Sequence, residues 1–124
     1  MQAFEALGLS QPLVEAVQAL GFTEPTAIQS QAIPRLLQED VDFIGLAQTG
    51  TGKTAAFGLP LVERIDDSMS ITQALILAPT RELCLQITTE LGQFARFRKQ
   101  IRILPVYGGA DIGKQIREAK KGVH

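Results

Sequence analysis

The chain has 124 residues, of which 45% are hydrophobic, 20% charged and 6% aromatic, so it can form one compact domain but not two. This composition argues against disorder, collagen and coiled coil, and a single cysteine and a single histidine argue against a disulfide framework and a structural zinc site. No apolar run approaches the roughly 18 residues of a membrane span, and no signal peptide is recognisable. We therefore expect a cytoplasmic α/β protein.

The net charge of −1 hides an asymmetry along the chain. Residues 1–80 carry three basic and nine acidic side chains, a balance of −6, whereas residues 81–124 carry nine basic and four acidic ones, a balance of +5. A basic half can attract a polyanion. Charge alone favours the alternative, in which these side chains form ordinary solvated helix faces.

The N-terminal part of the chain is predicted to be helical. Ser10 at the start and Gly21 just past the end frame a helix over about 11–20. A second helix begins at Thr26, whose T-x-x-Q spacing to Gln29 fits a capping box. We expect these helices to form a leader that precedes the main part of the fold.

Strands and helices then alternate three times. The predicted strands are short and apolar, at 42–47, 74–78 and 101–107, and the predicted helices cover about 53–64, 81–96 and 111–121. This order predicts an α/β fold, a three-layer parallel sheet with right-handed crossovers. The sequence is thus divided into a helical leader of about 1–40 and an α/β core of about 41–124, in one partial domain.

The predicted sheet is unusually narrow. A sheet of three parallel strands has two edges with unpaired backbone groups, which other parts of a protein usually cover. The alternation of strands and helices also predicts another strand after 123–124. We therefore expect a fragment of a longer protein, truncated after about three strands. An open edge of this kind could pair with a second copy of the chain, giving an edge-strand dimer.

A glycine-bearing turn, 47–54 (AQTGTGKT), separates the first predicted strand from the next helix. It fits the phosphate-binding pattern G-x-x-x-x-G-K-[ST], except that Ala47 stands where the first glycine usually does. The alternative is a plain glycine turn with a lysine that happens to open a helix. The strand before G-K-T and the helix after it favour nucleotide binding by a P-loop.

The chemistry of such a loop requires several backbone N–H groups to converge on one anion. Gly50 and Gly52 can supply the unusual backbone angles, and the helix N-terminus adds partial positive charge. Lys53 can reach the β- and γ-phosphates and the Thr54 hydroxyl can ligate Mg²⁺, which makes these two the candidate catalytic residues. The predicted nucleotide-binding residues of the loop are Ala47, Gln48, Thr49, Gly50, Thr51, Gly52, Lys53 and Thr54.

Three further segments accompany the loop, at 21–29 (GFTEPTAIQ), 79–83 (PTREL) and 108–109 (GG). With AQTGTGKT, they resemble, in order, the Q motif, phosphate loop, motif Ia and glycine doublet of DEAD-box ATP-dependent RNA helicases. Phe4 stands where that family carries an isolated aromatic residue. The resemblance covers the whole chain and implies the N-terminal part of a first RecA-like domain of P-loop NTPase type.

In that family the Q-motif glutamine recognises adenine, so the resemblance implies that Gln29 selects ATP over GTP. A side-chain amide can donate to N7 and accept from the N6 amino group of adenine, a match that guanine O6 would spoil. The alternative is that Gln29 only closes the capping box with Thr26, and both roles can hold together. Phe22 is expected either to stack near the base or to pack against the helix as a hydrophobic staple.

The resemblance also implies contact with the RNA backbone. The residues concerned are Pro79, Thr80, Arg81, Glu82, Gly108 and Gly109. A helix N-terminus presents free N–H groups to phosphate, and Arg81 adds a fork of donors. The alternatives are a salt bridge for Arg81 and an ordinary turn for the two glycines, but the basic excess of 81–124 favours RNA. Backbone contact is independent of RNA sequence.

The sequence departs from the family by truncation. The D-E-A-D and S-A-T segments and the second RecA-like domain, with its arginine fingers, are absent from these 124 residues. Phosphoryl transfer depends on those parts, so we expect the full-length protein, but not this chain alone, to hydrolyse ATP and unwind short RNA duplexes. The alternatives are a nucleotide- and RNA-binding module without turnover, and an unrelated P-loop kinase or NTPase.

Overall fold

A computed structural model describes residues 2–124 of the chain. Its helices are α1 (Gln2–Glu5), α2 (Gln11–Ala19), α3 (Ala27–Gln38), α4 (Lys53–Arg64), α5 (Arg81–Phe94) and α6 (Ile112–Lys120). The five predicted helices are confirmed, with α5 ending two residues earlier than expected. The short helix α1 is an addition to the predicted set.

The helix starts follow the local capping chemistry of the sequence. The capping box at the start of α3 is confirmed, because the Thr26 side chain accepts from the Gln29 backbone N–H and the Gln29 side chain accepts from the Thr26 N–H. Asp111 caps α6 in a similar way through the N–H of Gly113. Ser10 stands at the N-cap of α2, but its hydroxyl and its backbone N–H both donate to the Glu63 carboxylate of α4.

The core lies among the leader helices, α4 and α5. Helix α3 packs along α4, and both α2 and α4 contact α5. Fully buried side chains come from each of these helices, including Leu13, Ile33, Leu59 and Phe94. The leader is therefore part of the same hydrophobic core as the helix that follows the glycine-bearing turn.

The end of α4 is fixed by one side chain from beyond α5. Arg98 donates from Nη1 to the carbonyls of Val62 (2.7 Å) and Glu63 (3.3 Å) and from Nη2 to that of Ile65 (2.8 Å). Its Nη2 also lies 3.2 Å from the Asp67 carboxylate. Since the last carbonyls of a helix have no partners within the helix, Arg98 satisfies groups that would otherwise be left unpaired.

The three predicted strands do not form a hydrogen-bonded sheet within residues 2–124. Burial still alternates as in a strand with one covered face: Leu75 and Leu77 are 82% and 86% exposed, whereas Ile76 and Ala78 pack partly buried against the core. In the segment 42–47, Ile44 is 89% exposed. The segment 74–78 thus has the side-chain pattern of a strand without strand neighbours.

The three segments fail to pair because they are not adjacent. A cavity of about 1030 Å³ lies between Phe43 and the segment around 74–77, and another of about 310 Å³ separates 74–78 from 101–106. Strands that follow one another in sequence are not neighbours in roughly a third of cases. The predicted sheet of three strands is therefore not confirmed.

The longest helices of the described part do not resemble membrane segments. Among residues 2–124, no helix combines the length and the apolar character that crossing a membrane requires.

Candidate functional site

The turn 47–54 adopts the conformation that its glycines were expected to provide. Gly50 and Gly52 have φ angles of +78° and +81°, in the left-handed region that favours glycine. The Thr51 hydroxyl donates to the Gln48 carbonyl at 2.6 Å and tightens the turn. Helix α4 begins at Lys53, so the unpaired N–H groups of its first turn lie where the glycine-rich segment ends.

The turn is tied to the start of α3 by two hydrogen bonds. Gln29 Nε2 donates to the Gly52 carbonyl at 3.2 Å, and the Thr26 hydroxyl donates to the Thr51 carbonyl at 2.9 Å. A Cβ atom at Gly52 would overlap the Gln29 side-chain amide, so a glycine is needed there for space as well as for φ. The role of Thr26 in holding the turn was missed, because its spacing to Gln29 indicated a helix cap alone.

Gln29 is buried, with 3% of its surface exposed, and both the oxygen and the nitrogen of its side-chain amide form hydrogen bonds. Its Oε1 accepts from the Thr26 N–H at 3.0 Å while Nε2 donates to Gly52. A side-chain amide has two N–H groups and two acceptor lone pairs. One N–H and one lone pair remain available, so the capping role is confirmed and contact with adenine stays a prediction.

The charged end of the turn is open to solvent. Lys53 is exposed and Thr54 is half-buried, and across residues 2–124 Lys53 forms no ion pair. Its ammonium group and the unpaired N–H groups of the first turn of α4 are both positively charged, which favours an anion such as phosphate. The polar turn residues Gln48, Thr49 and Gly50 are exposed beside it.

Phe22 lies against another aromatic ring of the leader. Its ring centroid is 6.3 Å from that of Phe4 at an interplanar angle of 37°, and Phe4 itself is buried. Phe4, the isolated aromatic residue near the N-terminus, is therefore a packing partner of Phe22. Stacking of Phe22 on a base stays a prediction.

The structure brings two of the predicted RNA-contact segments together. Gly109 has φ of +90°, and a Cβ atom there would come within 2.5 Å of Arg81 Nη1. Arg81, at the first turn of α5, therefore lies directly against the glycine doublet. It forms no salt bridge within the described residues 2–124. Its neighbours Pro79, Thr80 and Glu82, and Gly108 of the doublet, are exposed, with Thr80 also capping α5.

The glycine doublet is held by a residue that the sequence patterns did not indicate. Gln115 of α6 is 9% exposed; its Oε1 accepts from the Tyr107 N–H at 3.2 Å and its Nε2 donates to the Tyr107 carbonyl at 3.0 Å. The amide thus pairs with the backbone as a neighbouring strand would. Nothing in the spacing of α6 marks this glutamine, since the contact depends on the fold.

The sequence model of the DEAD/DEAH box helicase family matches residues 26–124. This match covers most of the chain and includes the turn, the Arg81 segment and the glycine doublet. The chain belongs to the DEAD/DEAH box helicase family.

Similar curated proteins carry the same family description. The chain is 52% identical over all its 124 residues to the DEAD-box ATP-dependent RNA helicase CshA of Geobacillus kaustophilus. That alignment covers 26% of the relative, so the chain spans about a quarter of the length of the relative that it matches.

Solved structures show the same fold. The chain superposes with a TM-score of 0.83 on the RNA helicase Prp28 from Chaetomium thermophilum bound to ADP, with 41% identity over 98% of this chain and 30% of that one. The TM-score is 0.79 for Dbp5 of S. cerevisiae bound to RNA and ADP BeF3, with 33% identity over 90% of this chain and 30% of that one. The fold is therefore of the RecA-like helicase type, as predicted.

Proposed function

We propose that this chain is the nucleotide-binding part of the first RecA-like domain of an ATP-dependent RNA helicase. The observation that carries the proposal is the hydrogen bond between Gln29 and the Gly52 carbonyl. It joins the residue suited to read a purine to the turn suited to hold phosphates. A site for one nucleotide requires both at fixed separation.

ATP binds in this proposal with its phosphates on the N–H groups of 47–54 and its adenine edge on Gln29. The remaining N–H and lone pair of the Gln29 amide form the donor and acceptor pair that adenine N7 and N6 require. Guanine presents an acceptor in place of the N6 amino group. Phe22, already packed on Phe4, contributes an apolar surface near the base.

Mg²⁺ fits this site only together with the nucleotide. It prefers six oxygen ligands in octahedral geometry, and no group of three or more His, Cys, Asp or Glu side chains within residues 2–124 could hold a metal. The Thr54 hydroxyl supplies one oxygen, with the remainder from phosphate and water. The ion would neutralise phosphate charge, while Lys53 binds the β- and γ-phosphates and positions them.

RNA binds through its sugar-phosphate backbone at Pro79, Thr80, Arg81, Glu82, Gly108 and Gly109. The contact between Arg81 and Gly109 supports this, because it places a guanidinium beside an exposed turn of small residues. Arginine forms bidentate hydrogen bonds with phosphate. The Dbp5 structure that resembles this chain contains RNA, which supports the same class of partner here.

In this proposal, a RecA-like parallel sheet contains the segments 42–47, 74–78 and 101–107 as strands. The chain forms one partial domain, with a leader of about 1–40 and a core of about 41–124. The complete protein, with a second RecA-like domain, hydrolyses ATP, unwinds short RNA duplexes and works in the cytoplasm. Because the parts that activate water are absent from these 124 residues, the isolated chain binds nucleotide without turnover.

Nucleotide binding by the purified chain tests the proposal, with fluorescent ATP and GTP analogues as probes. We expect Lys53→Ala to weaken both analogues and Gln29→Glu to remove the preference for ATP, since Glu lacks the N–H that adenine N7 requires. Gln31→Glu is the matched control, because Gln31 is exposed on the same helix. Equal affinity of the unaltered chain for both analogues would instead favour an unrelated P-loop kinase or NTPase.

A further inference from the structure

The turn that contains the glycine doublet, 108–109, is anchored on both sides by one residue of α6. Before the turn, Gln115 Oε1 accepts from the Tyr107 N–H at 3.2 Å and Nε2 donates to the Tyr107 carbonyl at 3.0 Å. After the turn, the Asp111 carbonyl accepts from the Gln115 backbone N–H at 3.2 Å. Gln115 thus bonds to the chain where it enters the turn and where it leaves it.

The two side-chain hydrogen bonds of Gln115 are largely shielded from water, because the residue is only 9% exposed. A buried donor or acceptor that loses its partner costs more free energy than an exposed one. The path of the backbone at Tyr107, and with it the position of the turn, therefore depends on the Gln115 amide.

The turn lies against the side chain of Arg81. A Cβ atom on Gly109 would come within 2.5 Å of Arg81 Nη1, 3.1 Å of Cζ and 3.5 Å of Nη2, so the whole guanidinium group lies beside this glycine. Arg81 is exposed, and a long exposed side chain has many rotamers to lose when it binds a ligand. Contact with Gly109 removes part of that freedom in advance, and within residues 2–124 the guanidinium forms no salt bridge.

We propose that Gln115 is a positioning residue for RNA: by holding the turn 108–109, it directs the Arg81 guanidinium toward an RNA phosphate. The proposal rests on the RNA contact of Arg81 in the proposed function. A guanidinium held in advance in one orientation loses less entropy when it forms its bidentate hydrogen bonds with phosphate. Helix α6 thereby supports the contact through Gln115, although the residues proposed to touch RNA lie outside this helix.

RNA affinity gives the first test, with a fluorescein-labelled oligouridylate of about ten nucleotides as the probe. We expect Arg81→Met to weaken binding by the 124-residue chain about tenfold, and Gln115→Leu to weaken it roughly threefold to tenfold. Gln93→Leu is the matched control, because Gln93 is exposed near the other end of α5, and it should leave the affinity unchanged. Full affinity of the Gln115→Leu chain would overturn the proposal.

The salt dependence of binding separates positioning from a general loosening of the structure. Each cation that neutralises a phosphate of single-stranded RNA contributes about 0.7 to the slope of log affinity against log salt concentration. Gln115 is uncharged, so its substitution changes this slope only by removing the contact of a cation. We expect Gln115→Leu to reduce the slope as Arg81→Met does; a weaker affinity with an unchanged slope would contradict the proposal.

A double-substitution cycle shows whether Gln115 acts through Arg81. In a chain that already carries Arg81→Met, adding Gln115→Leu should cause no further loss of affinity, because the group that it positions is gone. An equal loss with and without Arg81 would assign the effect to direct contact of Gln115 with RNA or to general destabilisation, and would refute positioning.

A last measurement needs no RNA and a milder variant. Gln115→Glu keeps the acceptor for the Tyr107 N–H and loses only the donor to its carbonyl, so it serves even where Gln115→Leu fails to fold. We expect it to shift the NMR signal of the Arg81 Nε–H group, whereas Gln93→Glu should not. No binding of the oligouridylate by the unaltered chain would contradict the RNA contact of the proposed function, whereas normal binding with an unmoved Arg81 signal would overturn positioning by Gln115.

Discussion

Gly52 is the residue at which the leader meets the glycine-bearing turn 47–54. Its left-handed φ and its contact with the Gln29 amide are separate requirements, and only a glycine meets both. The sequence predicted the first from the P-loop pattern. The second depends on a hydrogen bond across 23 positions of the chain and could not be predicted from local spacing.

Gly52→Ala should therefore reduce both stability and binding. The strained φ and the displaced Gln29 side chain should lower the free energy of unfolding by roughly 1–3 kcal/mol, and affinity for a fluorescent ATP analogue should fall about tenfold or more. Gly50→Ala is the control, since it shares the positive φ but has open space around it. Chemical denaturation and analogue titration measure the two effects, and equal losses for both variants would contradict a specific role of the Gln29 contact.

Gln115→Leu tests the support of the glycine doublet. It leaves the N–H and carbonyl of Tyr107 without partners, which should lower the free energy of unfolding by about 1–3 kcal/mol. Gln86→Leu should change it by less than about 0.5 kcal/mol, because the Gln86 amide is exposed and bonds only to Glu90. A similar effect of the two substitutions, measured by urea denaturation, would show that the Tyr107 contact contributes little.

At the scale of single elements, the helices could be predicted and the sheet could not. A helix closes its hydrogen bonds within a few residues, so the Thr26 and Gln29 spacing and the N-cap at Ser10 suffice to locate two of them. A strand needs partners from distant parts of the chain. The segments around Ile44, Leu75 and Val106 are therefore recognisable as the short apolar runs typical of buried strands, but the runs do not reveal which segments are neighbours.

The C-terminal end of α4 should depend on Arg98. Arg98→Met keeps much of the apolar stem but leaves the carbonyls of Val62 and Ile65 unpaired, which should lower the free energy of unfolding by about 2–3 kcal/mol. Arg96→Met is the control, since Arg96 is exposed and lies over the Phe97 ring. Thermal and chemical denaturation measure the free energy of unfolding of both variants. If Arg98→Met lowered it no more than Arg96→Met does, this role of Arg98 would be refuted.

The loop after α4 contains a carboxylate with an altered pKa. The Ser68 hydroxyl, helped by its N–H, donates to Asp66 and holds the pKa of that carboxyl below its ordinary value of 3.8. Because the folded pKa is the lower one, the stabilisation is complete above pH 3.8 and is lost as the pH falls through the folded value. Ser68→Ala should raise the Asp66 pKa in an NMR titration; an unchanged value would assign the shift to other groups.

At the scale of the whole molecule, large apolar side chains of the segments 42–47 and 74–78 are exposed. Ile44 and Leu46 are 89% and 91% exposed on a segment without strand neighbours. Unpaired apolar segments of this kind tend to associate. We therefore propose that the isolated chain forms dimers through the edge of 42–47.

Ile44→Lys should weaken this association, because a charge on an exposed edge opposes strand pairing. Sedimentation velocity over a range of concentrations should show a shift toward monomer relative to the unaltered chain. Met69→Lys, at an exposed position in a loop, adds the same charge and should leave association unchanged. A monomer at every concentration in the unaltered chain would exclude the dimer.

The leader is fastened to α4 at several separate points, among them the bond from Ser10 to Glu63 and the bond from Arg64 to the Leu36 carbonyl. A protease that nicks the exposed link at 39–42 would consequently yield two pieces that co-elute under native conditions and separate only in denaturant. Recombinant versions trimmed to begin after the link would also lose Thr26 and Gln29, whose side chains hold the turn 47–54.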